Sequence, residues 1–178
     1  MTTALNAIPT KYNGYMFRSR LEARWAVFFD VMNIQYEYEA EGYKLAGAGW
    51  YLPDFWLPDA DVHVEIRPLN KYKYDEKCDA LALASSRPVL YIAGSPGFLA
   101  YKLNIYPDCF PDTLFPPIQF AECRRCSGIW VSNGCQVAHS LYCDPGCTAG
   151  EAIRWPELSV DRIVDAYMKA RQERFETE

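Results

Sequence analysis

Two carboxylates pose the first chemical question. Asp54 lies in Trp50-Tyr51-Leu52-Pro53-Asp54-Phe55-Trp56-Leu57-Pro58, and Glu65 lies in Val62-His63-Val64-Glu65-Ile66-Arg67. Each is set among aromatic and β-branched neighbours. An ionised carboxylate in such surroundings is costly to bury unless a cation compensates it, and a divalent metal would do so. Glu65 and Arg67 are two residues apart, so on a strand they project from one face. A preceding strand paired in register would bring Asp54 to that face. Two carboxylates and the Ile66 carbonyl would then offer hard oxygen ligands to Mg²⁺ or Mn²⁺. Such an ion acts as a Lewis acid and lowers the pKa of bound water. An ordinary alternative stands beside this one: Asp54 as a turn residue after proline, and Glu65 as an exposed position of an edge strand.

The second group is sulfur. Cys123-Arg124-Arg125-Cys126 and Cys143-Asp144-Pro145-Gly146-Cys147 form a C-x2-C and a C-x3-C sixteen residues apart. Each short spacing lets two thiolates hold one ion from a tight knuckle, and two knuckles complete a closed, structural Zn²⁺ site. Gly128 and Gly146 suit the sharp turns. Cys135 and His139, between the knuckles, are substitutes for a fourth ligand. Buried free thiols, or disulfides in an oxidising compartment, are the alternative. Cys78 and Cys109 are isolated and read as core or incidental residues.

The elements that must position these groups can be read from periodicity. Ser19 with Glu22 three residues later is a capping box, followed by Leu21, Trp25, Phe28, Phe29 and Met32 at helical spacing and an end near Asn33. Ile34–Leu45 reads as a strand with a bend at Glu41-Gly42. The two runs around Pro58-Asp59-Ala60-Asp61 read as a hairpin. Lys71–Ser85 reads as a second helix. The apolar run Pro88–Gly94 reads as a strand buried on both faces, and Tyr101–Tyr106 as a further strand. Residues 95–120 carry five of the twelve prolines and show no clear pattern. Ser159–Phe175 is an amphipathic helix. His63 is read as pointing away from the proposed catalytic face, structural or exposed.

Composition sets the bounds. The chain has 178 residues, half of them hydrophobic and 15% aromatic, enough for a true core. No apolar run approaches the roughly 20 residues of a membrane span, and the N-terminus lacks a signal-peptide pattern. The expected compartment is therefore the cytoplasm, where seven cysteines are thiols or metal ligands rather than disulfides. The net charge of −5 counts against binding nucleic acid by charge alone, although acids gathered around Mg²⁺ would themselves make the balance negative. With two histidines and no nucleophile near them, a serine or cysteine hydrolase has little support. Gly94-Ser95-Pro96-Gly97 lacks the lysine of a phosphate-binding loop.

Pro53-Asp54, ten further residues, then Glu65-Ile66-Arg67 resembles the PD-(D/E)XK nuclease signature. The resemblance extends to Phe17-Arg18-Ser19-Arg20-Leu21-Glu22-Ala23-Arg24-Trp25-Ala26-Val27-Phe28-Phe29, to Tyr51–Pro58, and to Ala166–Phe175, segments similar to a branch common in phages and actinobacteria. It implies an α/β, restriction-endonuclease-like αβββαβ core with a small zinc-binding insertion and a C-terminal helix. It implies a Mg²⁺- or Mn²⁺-dependent endonuclease acting on DNA, with Asp54 and Glu65 as metal ligands and Glu22, in the place of an additional acid, assisting them at the metal. The departure is Arg67, which stands where the family has a catalytic lysine. Arginine stays protonated and offers only charge and hydrogen bonds. Three possibilities are open: Arg67 suffices beside the metal, Lys73 or Lys77 reaches in from the next helix, or the site is impaired and the chain is a silent, nuclease-fold binder of nucleic acid or protein.

Arg18, Arg20 and Arg24 on the first helix, and Arg124 and Arg125 in the knuckle, are candidate phosphate contacts; a solvated face explains the first three equally well. The expected organisation is a lead-in at 1–17, a nuclease-like core at 18–120, a zinc knuckle at 121–150 and a C-terminal helix within 151–178. DNA is the expected partner, in a bacterial host cell if the chain is phage-encoded. A second copy of the chain or another protein is left open as a partner, and no membrane is expected.

Overall fold

The computed structural model describes residues 7–71, 75–97, 101–106, 119–132, 138–142, 147 and 158–175. In chain order these form β1 (Thr10–Tyr12), β2 (Tyr15–Phe17), α1 (Arg20–Val31), β3 (Glu37–Tyr38), β4 (Tyr43–Leu45), β5 (Gly49–Tyr51), β6 (Phe55–Leu57) and β7 (Val62–Arg67). A short 3-10 turn (Leu69–Lys71) precedes α2 (Glu76–Ser85), β8 (Val89–Gly94) and β9 (Tyr101–Tyr106). Last come β10 (Gln119–Cys123), β11 (Ile129–Ser132), β12 (Ala138–Tyr142), β13 (Leu158–Ser159) and α3 (Asp161–Gln172). The fold is mixed α/β.

The main sheet has the order β3-β6-β7-β8-β9. β6 and β7 form the expected hairpin, with Leu57 opposite Val62 and Phe55 opposite Val64. β8 runs parallel to β7, placing Tyr91 beside Glu65 and Ala93 beside Arg67. Parallel neighbours need a crossover, which α2 supplies. β7 and β8 are buried on both faces, because α1 covers one face and α2 the other. Val64, Ile66, Leu90 and Ile92 join the aromatic cluster of Trp25, Phe28, Phe29 and Phe55. Val89, Tyr91 and Ala93 meet Leu45, Cys78, Leu81 and Ala82 on the α2 side.

α1 begins where its capping residue requires. Ser19 is extended, and its side chain accepts from the Glu22 amide. The helix ends at Met32, and Asn33 follows with φ +55°. Its aromatic face reaches far. The Trp25 indole donates to the Gly94 carbonyl at 2.9 Å, and Phe28 stacks on Tyr167 of α3 at 5.1 Å. Phe120, Ile129 and Val131 of the second sheet, ordered β12-β11-β10-β13, belong to the same core. Arg162 of α3 donates to the Met32 carbonyl at the end of α1 and to Glu122 of β10.

Four elements differ from the sequence reading. The single strand expected over Ile34–Leu45 is two, because Glu39 takes a left-handed backbone (φ +49°) and its amide donates to the Asp54 carbonyl. β4 leaves the main sheet and pairs with β5, setting Tyr43 opposite Tyr51 and Lys44 opposite Trp50. The Trp50–Pro58 run likewise divides at Asp54, so that β5 and β6 belong to different sheets. The second helix starts at Glu76 rather than Lys71, because Asp75 caps it by accepting from the Lys77 amide. The last helix is shorter than Ser159–Phe175; the Ser159 hydroxyl accepts from the Asp161 amide where α3 begins.

Candidate active site

Asp54 and Glu65 are each 1% exposed, although a carboxylate in solvent would avoid such burial. Asp54 sits in the bend between β5 and β6, and the hairpin register brings it to the middle of β7. Its Oδ2 accepts from the Ile66 amide at 2.7 Å. Its Oδ1 accepts from the Arg18 guanidinium at 2.6 Å, and Arg67 Nη1 lies 3.5 Å from Oδ2. Glu65 pairs directly with Arg67 Nη2. Arg67 also donates to the Ile66 carbonyl at 2.9 Å and to the Tyr51 hydroxyl at 3.2 Å. One guanidinium therefore touches both carboxylates and the carbonyl between them.

Glu65 Oε2 is buried without a hydrogen-bond partner. A buried, unsatisfied carboxylate oxygen is expensive, and an anionic oxygen in that position is suited to a cation. Burial pushes the Glu65 carboxyl above the usual carboxylate range, and the charge of Asp54 adds to the effect. Asp54 is also raised, by burial and by Glu22, against the opposing Ile66 amide and the two arginines. The Tyr51 phenol is pushed up by burial and by Glu65, so it keeps its proton.

Glu22 is 8% exposed and lies near enough to Asp54 to affect its titration. Its own hydrogen bonds run elsewhere. Oε1 accepts from the Ser19 hydroxyl at 2.6 Å, and Oε2 accepts from the Tyr38 hydroxyl at 2.7 Å and the Arg18 amide at 3.1 Å. The carboxylate thus ties the start of α1 to β3. Arg18 is engaged by Asp54 and Glu39, while its side chain is still 55% exposed. Arg20 and Arg24 are half-buried, and the Nε of each is buried without a partner, so neither is a freely solvated face residue. Lys77 holds its ammonium 5.8 Å from the Tyr51 ring centre, at the edge of the site. Lys73 lies outside the described residues.

The position of His63 corrects the sequence reading. It is two residues before Glu65 and so shares its face of β7. It is 2% exposed and packs edge-on to Tyr43 at 5.1 Å. It lines a separate cavity of about 290 Å³ with Trp56 and Arg87. Burial and the Arg87 charge push its pKa down to about 4, so it is neutral. Tyr51 is the site residue that sequence reasoning passed over. Its signal was its place three residues before Asp54, inside the same aromatic run.

Of the cysteine group, Cys123, Cys126 and Cys147 bring their sulfurs within 4.8 Å of one another and could hold a metal ion. The Cys123 and Cys147 sulfurs are 3.6 Å apart. The Cys123 amide donates to Gly128, the Ser127 amide to Cys123, and Ser127 takes φ +58°, which closes a tight knuckle. The Arg125 amide donates to the Cys123 sulfur at 3.4 Å. Cys143, Cys135 and Cys109 lie outside the described residues, and the His139 side chain does too. Cys78 is buried on α2, as read. Arg124 and Arg125 are exposed.

Comparison with known proteins returns no family model, no curated protein and no solved structure that matches the chain. Among the described residues, no helix is long and apolar enough to cross a membrane.

Proposed function

We propose that the chain is a divalent-metal-dependent endonuclease of PD-(D/E)XK type that hydrolyses DNA phosphodiester bonds. The observation that carries this reading is the meeting of Asp54, Glu65 and Arg67 around the Ile66 peptide, with Glu65 Oε2 buried and unpartnered. The succession of α1, β3, β6, β7, α2 and β8 supports a restriction-endonuclease-like core, with the β4–β5 hairpin inserted.

Asp54, Glu65 and the Ile66 carbonyl would hold Mg²⁺ or Mn²⁺. When bound, the ion supplies a Lewis acid that lowers the pKa of water and offsets phosphate charge. The two acids are fixed by β6–β7 pairing, so they are aligned before substrate arrives. Arg67 remains a cation. Turned from the carboxylates toward a bound phosphate, it would steady developing negative charge. The protonated Tyr51 hydroxyl holds it in reach, and Lys77 adds positive charge above that ring. Lys73 shares this proposed role on sequence grounds. Glu22 acts from α1 by anchoring Arg18 and Tyr38 and through its field at Asp54. Arg18, with Arg20, Arg24, Arg124 and Arg125, forms the proposed phosphate contacts.

The metal at the knuckle is proposed to be Zn²⁺, with Cys143 as fourth ligand. A Zn–S bond of about 2.3 Å in a tetrahedron sets sulfurs about 3.8 Å apart, close to the Cys123–Cys147 separation. Its role would be to fix β10 and β11 against the core.

A second reading has one observation in its favour. Arg67 already pairs with both carboxylates and donates to the Ile66 carbonyl, as it would in a catalytically silent binding protein. Incubating plasmid and branched DNA with Mg²⁺ or Mn²⁺, beside an Asp54→Ala variant, separates the two. Cutting that the variant loses supports the enzyme. Binding without cutting at every metal concentration supports the silent binder and excludes the first reading.

A further inference from the structure

Glu37, Trp56 and His63 stand in one row across the main sheet. Glu37 of β3 lies opposite Trp56 of β6, and Trp56 lies opposite His63 of β7. Residues directly opposite in antiparallel strands share a face, and all three line the cavity of about 290 Å³ beside His63. Tyr43, Glu41 and Arg87 line it as well, with the Tyr43 ring edge-on to His63 at 5.1 Å. Asp54, Glu65 and Arg67 take no part in the lining. The cavity is thus distinct from the carboxylate site. Its volume lies at the lower end of small-molecule sites, which run from about 300 to 1,000 Å³, so an occupant would be small.

The polar groups in this lining are unevenly served. His63 is 2% exposed, yet both of its ring nitrogens are buried with no hydrogen-bond partner among the described residues. The Trp56 indole N–H, across the strand pair, is buried and unpartnered too. No choice of tautomer relieves His63, because a neutral imidazole always carries one donor and one acceptor. Buried polar groups in folded proteins are almost always bonded, so three unmet nitrogens around one cavity mark a built site. The charged groups, by contrast, have partners. Glu41 accepts from the Tyr43 hydroxyl at 3.0 Å, and Arg87 pairs with Asp61 and lies over the Trp56 ring. Glu37 and Glu41 outweigh Arg87 against an anion, while Arg87 and the unmet donors oppose a cation. What the cavity leaves open is neutral: two donors and one acceptor between aromatic side chains.

We propose that this cavity binds a small, uncharged heterocyclic amide of the nucleobase class, through hydrogen bonds to the Trp56 indole N–H and the His63 ring nitrogens. Such a ring presents a carbonyl acceptor and an N–H donor on adjacent atoms, the complement of the unmet groups. Its flat shape suits a space walled by Tyr43 and Trp56. A free nucleoside and a base in an unpaired strand carry the same edge. Because the carboxylates are not involved, the site holds or fails independently of the nuclease reading.

The probes are thymidine, inosine, N3-methylthymidine and a short oligothymidylate, each titrated into the full chain without divalent metal. The His63 ring nitrogens and the Trp56 indole N–H are followed by nuclear magnetic resonance. With two histidines and five tryptophans in the chain, His63→Phe and Trp56→Phe assign the signals. Thymidine or inosine is expected to move both sets of signals along one saturation curve. Methylation at N3 removes the donor that would meet the His63 acceptor, so N3-methylthymidine should bind at least about tenfold more weakly than thymidine. Trp56→Phe keeps a ring but loses the N–H, and should weaken thymidine about fivefold. Saturation by the free nucleosides identifies a free ligand; saturation by the oligothymidylate alone supports the same site with its base supplied by a strand. Signals that move with none of the probes, leaving water as the only occupant, overturn the proposal. So does equal binding of thymidine and its N3-methyl derivative, or thymidine binding that Trp56→Phe leaves unchanged. The methyl comparison uses the unaltered protein, so it decides the matter even where Trp56→Phe fails to fold.

Discussion

Arg67 and Glu65 project from one face of β7 and are in direct contact, and the same guanidinium donates to the Ile66 carbonyl at 2.9 Å and lies 3.5 Å from Asp54. Its charge therefore compensates two carboxylates that are otherwise sealed from water. Removing one partner of a buried ion pair leaves the other unpaired, at a cost of about 3–5 kcal/mol. Arg67 is 30% exposed, so solvent moderates this. Arg67→Met is expected to destabilise the metal-free protein by about 2–3 kcal/mol, measured by urea denaturation, with saturating Mn²⁺ recovering much of the loss.

Arg67→Lys tests a different property. A lysine preserves the charge and restores the residue of the resembling family, but it loses the forked contact with Tyr51 and Ile66. Cleavage by this variant is expected to equal or exceed that of the wild type, read as single-turnover rate in Mg²⁺. A fall of more than about a hundredfold, some 2.7 kcal/mol in barrier, would mean that the guanidinium geometry itself is needed.

The raised Glu65 carboxyl gives a pH dependence with a definite sign. Between its ordinary value of 4.5 and its higher folded value, the folded state holds a proton that the unfolded state has released. Stability of the metal-free protein therefore falls as pH rises through that window. A divalent ion favours the ionised carboxylate, so added Mn²⁺ should stabilise most at the alkaline end. Thermal melts across the range, with and without Mn²⁺, check both slopes; a metal-free stability that rises with pH would contradict the assignment.

Much of this arrangement was legible in the residues. Ser19 and Glu22 gave the start of α1, and the proline-flanked turn at 58–61 gave the β6–β7 hairpin, because local backbone chemistry decides both. The β4–β5 hairpin was not legible. It depends on the left-handed Glu39 and on a bond from its amide to the Asp54 carbonyl, a contact across the fold that no periodicity records. Glu22 illustrates the same limit. The spacing showed a cap, but the Tyr38 hydroxyl that takes its second oxygen comes from a strand placed by tertiary packing. Tyr51 escaped notice because a tyrosine in an aromatic run resembles core until its hydroxyl is located.

The aromatic seam between α1 and α3 should dominate stability. Phe28 is fully buried and stacks on Tyr167 while touching Phe120 and Trp25. Phe28→Ala is expected to cost about 3–5 kcal/mol, seen as a lower midpoint in urea with an unchanged slope.

At the knuckle, protein purified without chelator should carry close to one zinc per chain. Cys126→Ser should lower both zinc content and melting temperature, since a structural site contributes its binding energy to folding. Less than about half an equivalent in the wild type would rule against the site.

The central claim is that Asp54 and Glu65 together hold a divalent ion. Titrating Mn²⁺ into the zinc-loaded protein and counting free ion by electron paramagnetic resonance tests it directly. The account predicts at least one bound Mn²⁺ per chain, lost in Asp54→Ala and in Glu65→Ala and kept in Trp50→Ala. Wild-type protein that leaves all the Mn²⁺ free, or variants that bind it as the wild type does, would contradict it.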